Sequence, residues 1–137
     1  MKLKILVLAL LVSGLGWGQS IFTNPITGTN PNTANPYTTG QTFNSNLTVT
    51  GIGRGSGITG IDANDRYNAS SWNTASIDLN AYFEFTLTPI TGYEINFVSF
   101  VYTGQTSGTG PTSFAFRSSV DSYTTNIGTP SSSGVTI

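Results

Sequence analysis

The chain has no cysteine and no histidine, and its two lysines, Lys2 and Lys4, both stand within the first four residues. Without cysteine there is no disulfide to staple the fold, no thiolate nucleophile and no zinc–thiolate site. Without histidine, the imidazole that serves many general acid–base and metal sites is missing as well. Charge is scarce: Asp, Glu, Lys and Arg make up 8% of the sequence, and no basic patch exists that would neutralise a nucleic-acid backbone. No segment carries a helical apolar stripe, and no repeat recurs at solenoid periods. The chemistry left to the chain is that of carboxylates, amides and hydroxyls, and the sequence supplies no reaction mechanism.

What is present begins with a leader. Met1 to Gly18 has a basic start, an apolar run from Ile5 to Val12 and small residues at Gly16 and Gly18. This is the three-part pattern of a secretory signal peptide, and the run is too short to span a bilayer. Cleavage after Gly18 predicts a mature domain over 19–137, secreted or at the cell surface, with no membrane span. Both lysines leave with residues 1–18, so Arg54, Arg66 and Arg117 face six acids and the mature net charge is −3. Its roughly 119 residues suffice for one domain.

The apolar content concentrates in Tyr82 to Asp121. Phe83, Phe85 and Leu87 alternate with Tyr82, Glu84, Thr86 and Thr88, the period of a strand with one buried face. Pro89-Ile90-Thr91-Gly92 then reads as a turn. A five-residue connection would fold Tyr93–Tyr102 back as a hairpin, with Leu87 opposite Ile95 and Phe85 opposite Phe97. The second run changes phase between Phe97 and Val98, which implies a bulge or a strand covered on both faces, and hence a sandwich. Phe83, Phe85, Leu87, Ile95, Phe97, Phe114 and Phe116 are the expected core. The expectation is an all-β, antiparallel β-sandwich. Ser20–Pro25 and Leu47–Gly53 read as edge strands, Asn30–Gln41 with its two Asn-Pro steps as disordered, and the glycine-rich stretch from Gly51 as a flexible connection.

Candidate sites are few. Glu84 and Glu94 fall about 13 Å apart in that hairpin register, too far for a glycosidase pair, and the chain reads as a non-enzyme. No cofactor is expected; Asp62, Asn64 and Asp65 gather the hard oxygen donors that would hold calcium if one were bound, although Arg66 interrupts the alternation of an EF-hand. A turn in which Asp and Asn cap their own backbone has the same composition. Tyr67 and Trp72 offer aromatic faces on which a sugar ring can stack, or else they complete the core. Arg117, in a neutral neighbourhood, is expected to pair with Asp121 or with loop carbonyls and to pin a strand end.

Three segments carry a resemblance: Asn68-Ala69-Ser70-Ser71-Trp72, Tyr82–Pro89 with Gly92-Tyr93, and above all Ser107–Asp121 with its GTGPTSFAFRSS core. Together they resemble a β-sandwich module of secreted and surface proteins that bacteria export by the type IX route, sometimes beside extracellular nuclease domains. The resemblance spans roughly Ser20 to the end and implies a jelly-roll-like, non-catalytic extracellular module. It also implies further strands past Ile137, so the chain is expected to be the N-terminal portion of a longer protein, incomplete at its C-terminus. It transfers no binding residue. Two functions follow as expectations: a binding or adhesion module for carbohydrate or a surface polymer, or a structural spacer of a larger secreted enzyme such as an extracellular nuclease.

Overall fold

A computed structural model of the protein describes residues 18–72, 77–111, 113–131 and 134–137; all but one residue of the expected leader lie outside them. The chain is all-β and antiparallel. Its short strands are β1 (Phe22–Thr23), β2 (Thr42–Phe43), β3 (Leu47–Val49), β4 (Gly53–Arg54), β5 (Thr59–Gly60), β6 (Ala69–Ser70), β7 (Phe83–Glu84), β8 (Leu87–Pro89), β9 (Val101–Thr103) and β10 (Gly134–Thr136). They form five pairs: β1 with β2, β3 with β8, β4 with β7, β5 with β6, and β9 with β10. Among the described residues no helix is long and apolar enough to cross a membrane.

Two of these pairs are one ribbon. β3 and β8 match Leu47 to Pro89, Thr48 to Thr88 and Val49 to Leu87, whereas β4 and β7 match Gly53 to Glu84 and Arg54 to Phe83. Between the two ladders three residues, Thr50 to Ile52, oppose two, Phe85 and Thr86. That surplus residue is a β-bulge. Gly51 sits there at φ 85°, and Ile52 turns to bridge Tyr37. The bulge keeps the faces consistent: Thr48, Thr88 and Glu84 are exposed on one side, while Leu47 and Arg54 are buried on the other.

The ribbon replaces the expected hairpin. The turn after Pro89 is present, with Tyr93 N–H donating to Ile90 O at 3.0 Å and Gly92 at φ 90°. The chain beyond it does not return along residues 83–89, and regular strand resumes only at Val101. A local return closes a shorter loop and is entropically cheaper. The distant segment prevails because its alternation matches: Leu47 and Val49 meet Pro89 and Leu87 on the inner face, and threonines meet threonines on the outer one. Phe97, expected in the core, is 65% exposed, and Val98 beside it 85%.

The core is accordingly elsewhere. Tyr37, Leu47, Ile58 and Ala69 are its buried apolar residues, and Arg54 is buried among them. Phe83 and Phe85 share the inner face as expected but stay 43% exposed, packing on Trp72 and Phe22 with ring centroids 5.0 and 5.3 Å apart. Phe114 and Phe116 belong to a second cluster with Phe100 and Tyr102. The segment read as disordered, Asn30–Gln41, contributes buried Pro31 and Tyr37, and the glycine-rich stretch read as a flexible connection is the most continuously buried part of the chain.

Candidate functional site: an arginine clamp and an amide-lined groove

Arg54 organises the first half of the molecule. A guanidinium presents five donors in a rigid fork and cannot shed its charge, so burying it demands acceptors on every side. The chain supplies them from main-chain carbonyls: Nε donates to Asn68 O at 2.9 Å, Nη1 to Asn32 O and Ala34 O, both at 3.1 Å, and Nη2 to Pro31 O at 3.4 Å. The Tyr67 ring lies against it with the guanidinium carbon 3.7 Å from the centroid, a cation–π contact. Asn35 closes the clamp, its Oδ1 accepting from Arg54 N–H at 2.7 Å and its Nδ2 donating to Arg54 O at 3.2 Å. Proline- and asparagine-rich sequence makes poor regular structure, and here its main-chain carbonyls are what solvate the cation.

The clamp also holds the Tyr67 ring. Tyr67 OH donates to Ala34 O at 2.9 Å, and its ring also packs on Phe83 and Tyr37. Burial pushes the phenol above its usual range, against a smaller opposing pull from the Arg54 charge. Trp72 donates from Nε1 to Ala69 O at 2.9 Å and meets Phe83 edge-on. Tyr67 thus packs on Arg54 and Trp72 on Phe83, and both rings stay half-buried.

The acidic loop is likewise engaged. Asp62 Oδ1 accepts from Asn30 Nδ2, Asp65 Oδ1 accepts from Gly28 N–H at 2.5 Å, and Asp65 N–H donates to Thr29 O at 2.9 Å. Asn64 offers its backbone carbonyl to Arg66 Nε at 3.3 Å. The carboxylates tie residues 62–65 to residues 28–30. Among the described residues no three acidic side chains gather as metal ligands do.

Arg117 and Asp121 do not meet. Arg117 Nε donates to Asn126 Oδ1 at 2.9 Å and Nη1 to Tyr123 O at 2.8 Å, the loop-carbonyl arm of the expectation. Asp121 turns to the following turn, its Oδ2 accepting from Thr125 N–H at 2.9 Å. Four residues along an extended strand would carry two side chains apart; here Ser119–Asp121 form a 3₁₀ turn capped by Ser118, and the turn reorients the acid.

A concave surface opens at the end of the β3–β8 ladder, lined by Asn44, Asn46, Tyr93, Glu94 and Asn96 with Ile21 and Leu47 beneath. Asn96 Nδ2 donates to Glu94 Oε1 at 3.0 Å and so holds the carboxylate in place. The Asn46 amide has no partner among the described residues, and Tyr93 is 55% exposed at the edge. Of these residues only Glu94 stands out in the sequence, because they lie in two segments nearly fifty positions apart; the β3–β8 ladder and the pairing of Asn46 O with Ile90 N–H, at 3.0 Å, bring them together. No family model, no curated protein and no solved structure matches this chain.

Proposed function

We propose that this chain is a non-catalytic, extracellular carbohydrate-binding module of the jelly-roll kind, exported by way of its leader and engaging an uncharged sugar polymer. The groove of Asn44, Asn46, Glu94 and Asn96 beside exposed Tyr93 carries the reading. Amides and a carboxylate supply paired donors and acceptors for vicinal hydroxyls, and a half-exposed ring at the rim supplies a stacking face. Charge favours a neutral ligand. Arg54 is buried, Arg66 donates to Gln105 Oε1 at 2.9 Å and Arg117 to Asn126 and Tyr123, so each arginine is already engaged. A uronate or sulfated glycan would meet Glu94 with no cation to offset it. The test is affinity electrophoresis and calorimetry against a panel of neutral and acidic polysaccharides, without added calcium. Binding to a neutral polymer that drops about tenfold in Tyr93→Ala, from loss of a stacking contact, supports the reading. Silence across the panel, or preference for acidic polymers, overturns it.

A further inference from the structure

Residues 93–100 run without turn or bend from the Gly92 turn into β9, but they belong to no ladder of their own. β10 engages this run only at its far end, where Phe100 and Ile137 exchange both backbone hydrogen bonds, each at 2.8 Å. In an antiparallel pair a residue bonded in this way alternates with one whose amide and carbonyl face the other edge. Phe100 therefore fixes the side: the backbone N–H and C=O groups of Glu94, Asn96 and Val98 face the line along which β10 runs. None of these groups has a hydrogen-bond partner among the described residues.

The side chains leave this edge undefended. Natural edge strands are blunted by lysine, proline or repeated charge, and between Tyr93 and Val101 there is no lysine, no proline and a single charge, Glu94. Phe97, Val98 and Val101 are largely exposed. A row of free amides flanked by exposed apolar groups is a template for another strand.

We propose that this edge pairs with the same edge of a second copy of the chain, antiparallel and in line with β10. The sequence is self-complementary in one two-fold register. Centred on Asn96, it sets Asn96 against Asn96, Glu94 against Val98 and, on the opposite face, Ile95 against Phe97 of the second copy. All three free backbone units are then used, apolar meets apolar on both sides of the axis, and no like charges face each other. The neighbouring registers fail. Centring on Phe97 sends Glu94 to Phe100, which Ile137 already holds, and centring on Val98 sends Asn96 there. Centring on Ile95 sends Val98 to Gly92 in the turn, and centring on Glu94 sets carboxylate against carboxylate. So short an edge belongs with transient interfaces, below about 1,200 Å², and the dimer should dissociate on dilution.

The pairing is independent of sugar binding, although Tyr93, Glu94 and Asn96 also line the groove. The experiment is sedimentation of the full chain from Gln19, without sugar, at concentrations up to about 1 mM. A reversible monomer–dimer equilibrium is expected. Because residue 98 faces Glu94 of the second copy at two symmetric places, Val98→Lys should dimerise roughly tenfold more tightly than Val98→Glu. Val120→Lys and Val120→Glu carry the same net charges at an almost fully exposed position and should differ by less than about twofold. The chain has no cysteine, so Asn96→Cys should oxidise to a covalent dimer, the Cα atoms of a hydrogen-bonded pair lying about 5.5 Å apart. Val98→Cys, roughly 13 Å from its counterpart at about 3.3 Å per residue, should not. A monomer throughout the concentration range overturns the pairing. Equal affinities of the two residue-98 charge variants, or crosslinking at 98 in place of 96, overturn the register. A dimer that forms while every polysaccharide is refused upholds this inference and defeats the sugar reading alone.

Discussion

Residues 18–92 and 100–137 solve the same problem, holding a small all-β chain together without disulfides, by opposite means. The first region is clamped by one buried cation whose donors reach four main-chain carbonyls. The second stacks four rings: Phe116 meets Phe100 and Tyr102 with centroids 4.7 and 4.8 Å apart, and Phe114 at 5.9 Å. Beneath the stack Tyr102 OH donates to Ser131 O at 2.7 Å, and β9 pairs with β10. No ladder and no ring pair crosses between the regions among the described residues, while Arg66 reaches Gln105 at the surface. A polar loop with many free carbonyls can be ordered by one fork of donors, whereas a segment with alternating aromatics orders itself by edge-to-face packing.

The largest effect should come from the clamp. Arg54→Met removes the cation and its four carbonyl contacts while the Asn35 bonds to the backbone of residue 54 remain, and we expect a loss of about 3 to 5 kcal/mol, the range for breaking a buried polar network by removing one partner. Denaturant unfolding followed by fluorescence checks it, because a chain beginning at Gln19 has Trp72 as its single tryptophan. A loss below about 1 kcal/mol would mean that water replaces the clamp. Phe116→Ala should rank next, at about 2 to 3 kcal/mol, reduced from the fully buried value because the ring is only half-buried. This variant sharpens the comparison: the near-ultraviolet dichroism of the ring stack should melt earlier while the Trp72 transition stays in place. Coincident shifts would show a single cooperative unit.

How legible this was in the sequence differs between the regions for the same reason. Alternation placed Phe83, Phe85 and Leu87 on one face and Phe114 with Phe116 on one side, and the positive φ of Gly92 followed from its turn. Period and turn chemistry are local, and local signals survive. The partner of residues 83–89 was not legible, because Leu47–Val49 lies some forty positions upstream and the nearer run, with Ile95 and Phe97, also alternates apolar residues. Nor was the clamp: Asn30–Gln41 has the composition of a loop without order, and nothing in that composition shows that one arginine far along the chain collects its carbonyls. The available signal was Arg54 itself, one of three arginines, set between glycines that let backbone approach.

The Tyr67 hydroxyl tests the clamp more gently. Its pKa is raised in the folded state, chiefly by burial. A phenol whose folded pKa exceeds the unfolded value of about 10 binds more protons folded than unfolded above that pH, so its contribution is complete below pH 10 and is lost as pH rises through the folded pKa. Tyr67→Phe should cost about 1 kcal/mol at neutral pH, where the bond to Ala34 O is lost, and should flatten the fall in stability above pH 10. An alkaline limb unchanged in the variant would place the transition on other tyrosines.

The smallest effect concerns Arg117 and Asp121, where the expected pairing gives way to two separate contacts. Hydrogen bonds from Thr125, foremost from its side chain, and then from Thr124 hold the Asp121 carboxyl below its usual range, against an opposing desolvation. A depressed folded pKa contributes stability that is present above the unfolded value of about 3.9 and is lost as pH falls through the folded pKa. Asp121→Asn should therefore lower stability slightly at neutral pH, where that contribution is present, and flatten the acid limb below about pH 4. Because Arg117 donates to Asn126 and Tyr123 O, the double-mutant cycle of Arg117→Met with Asp121→Asn should give a coupling within about 0.5 kcal/mol of zero, as for sites without a shared partner. Arg117→Met with Asn126→Ala should instead couple by roughly 1 kcal/mol, the worth of one hydrogen bond from a charged donor at the surface. If the first cycle couples and the second does not, the turn at Ser119–Asp121 has brought acid and base together in solution, and the loop is held by charge after all.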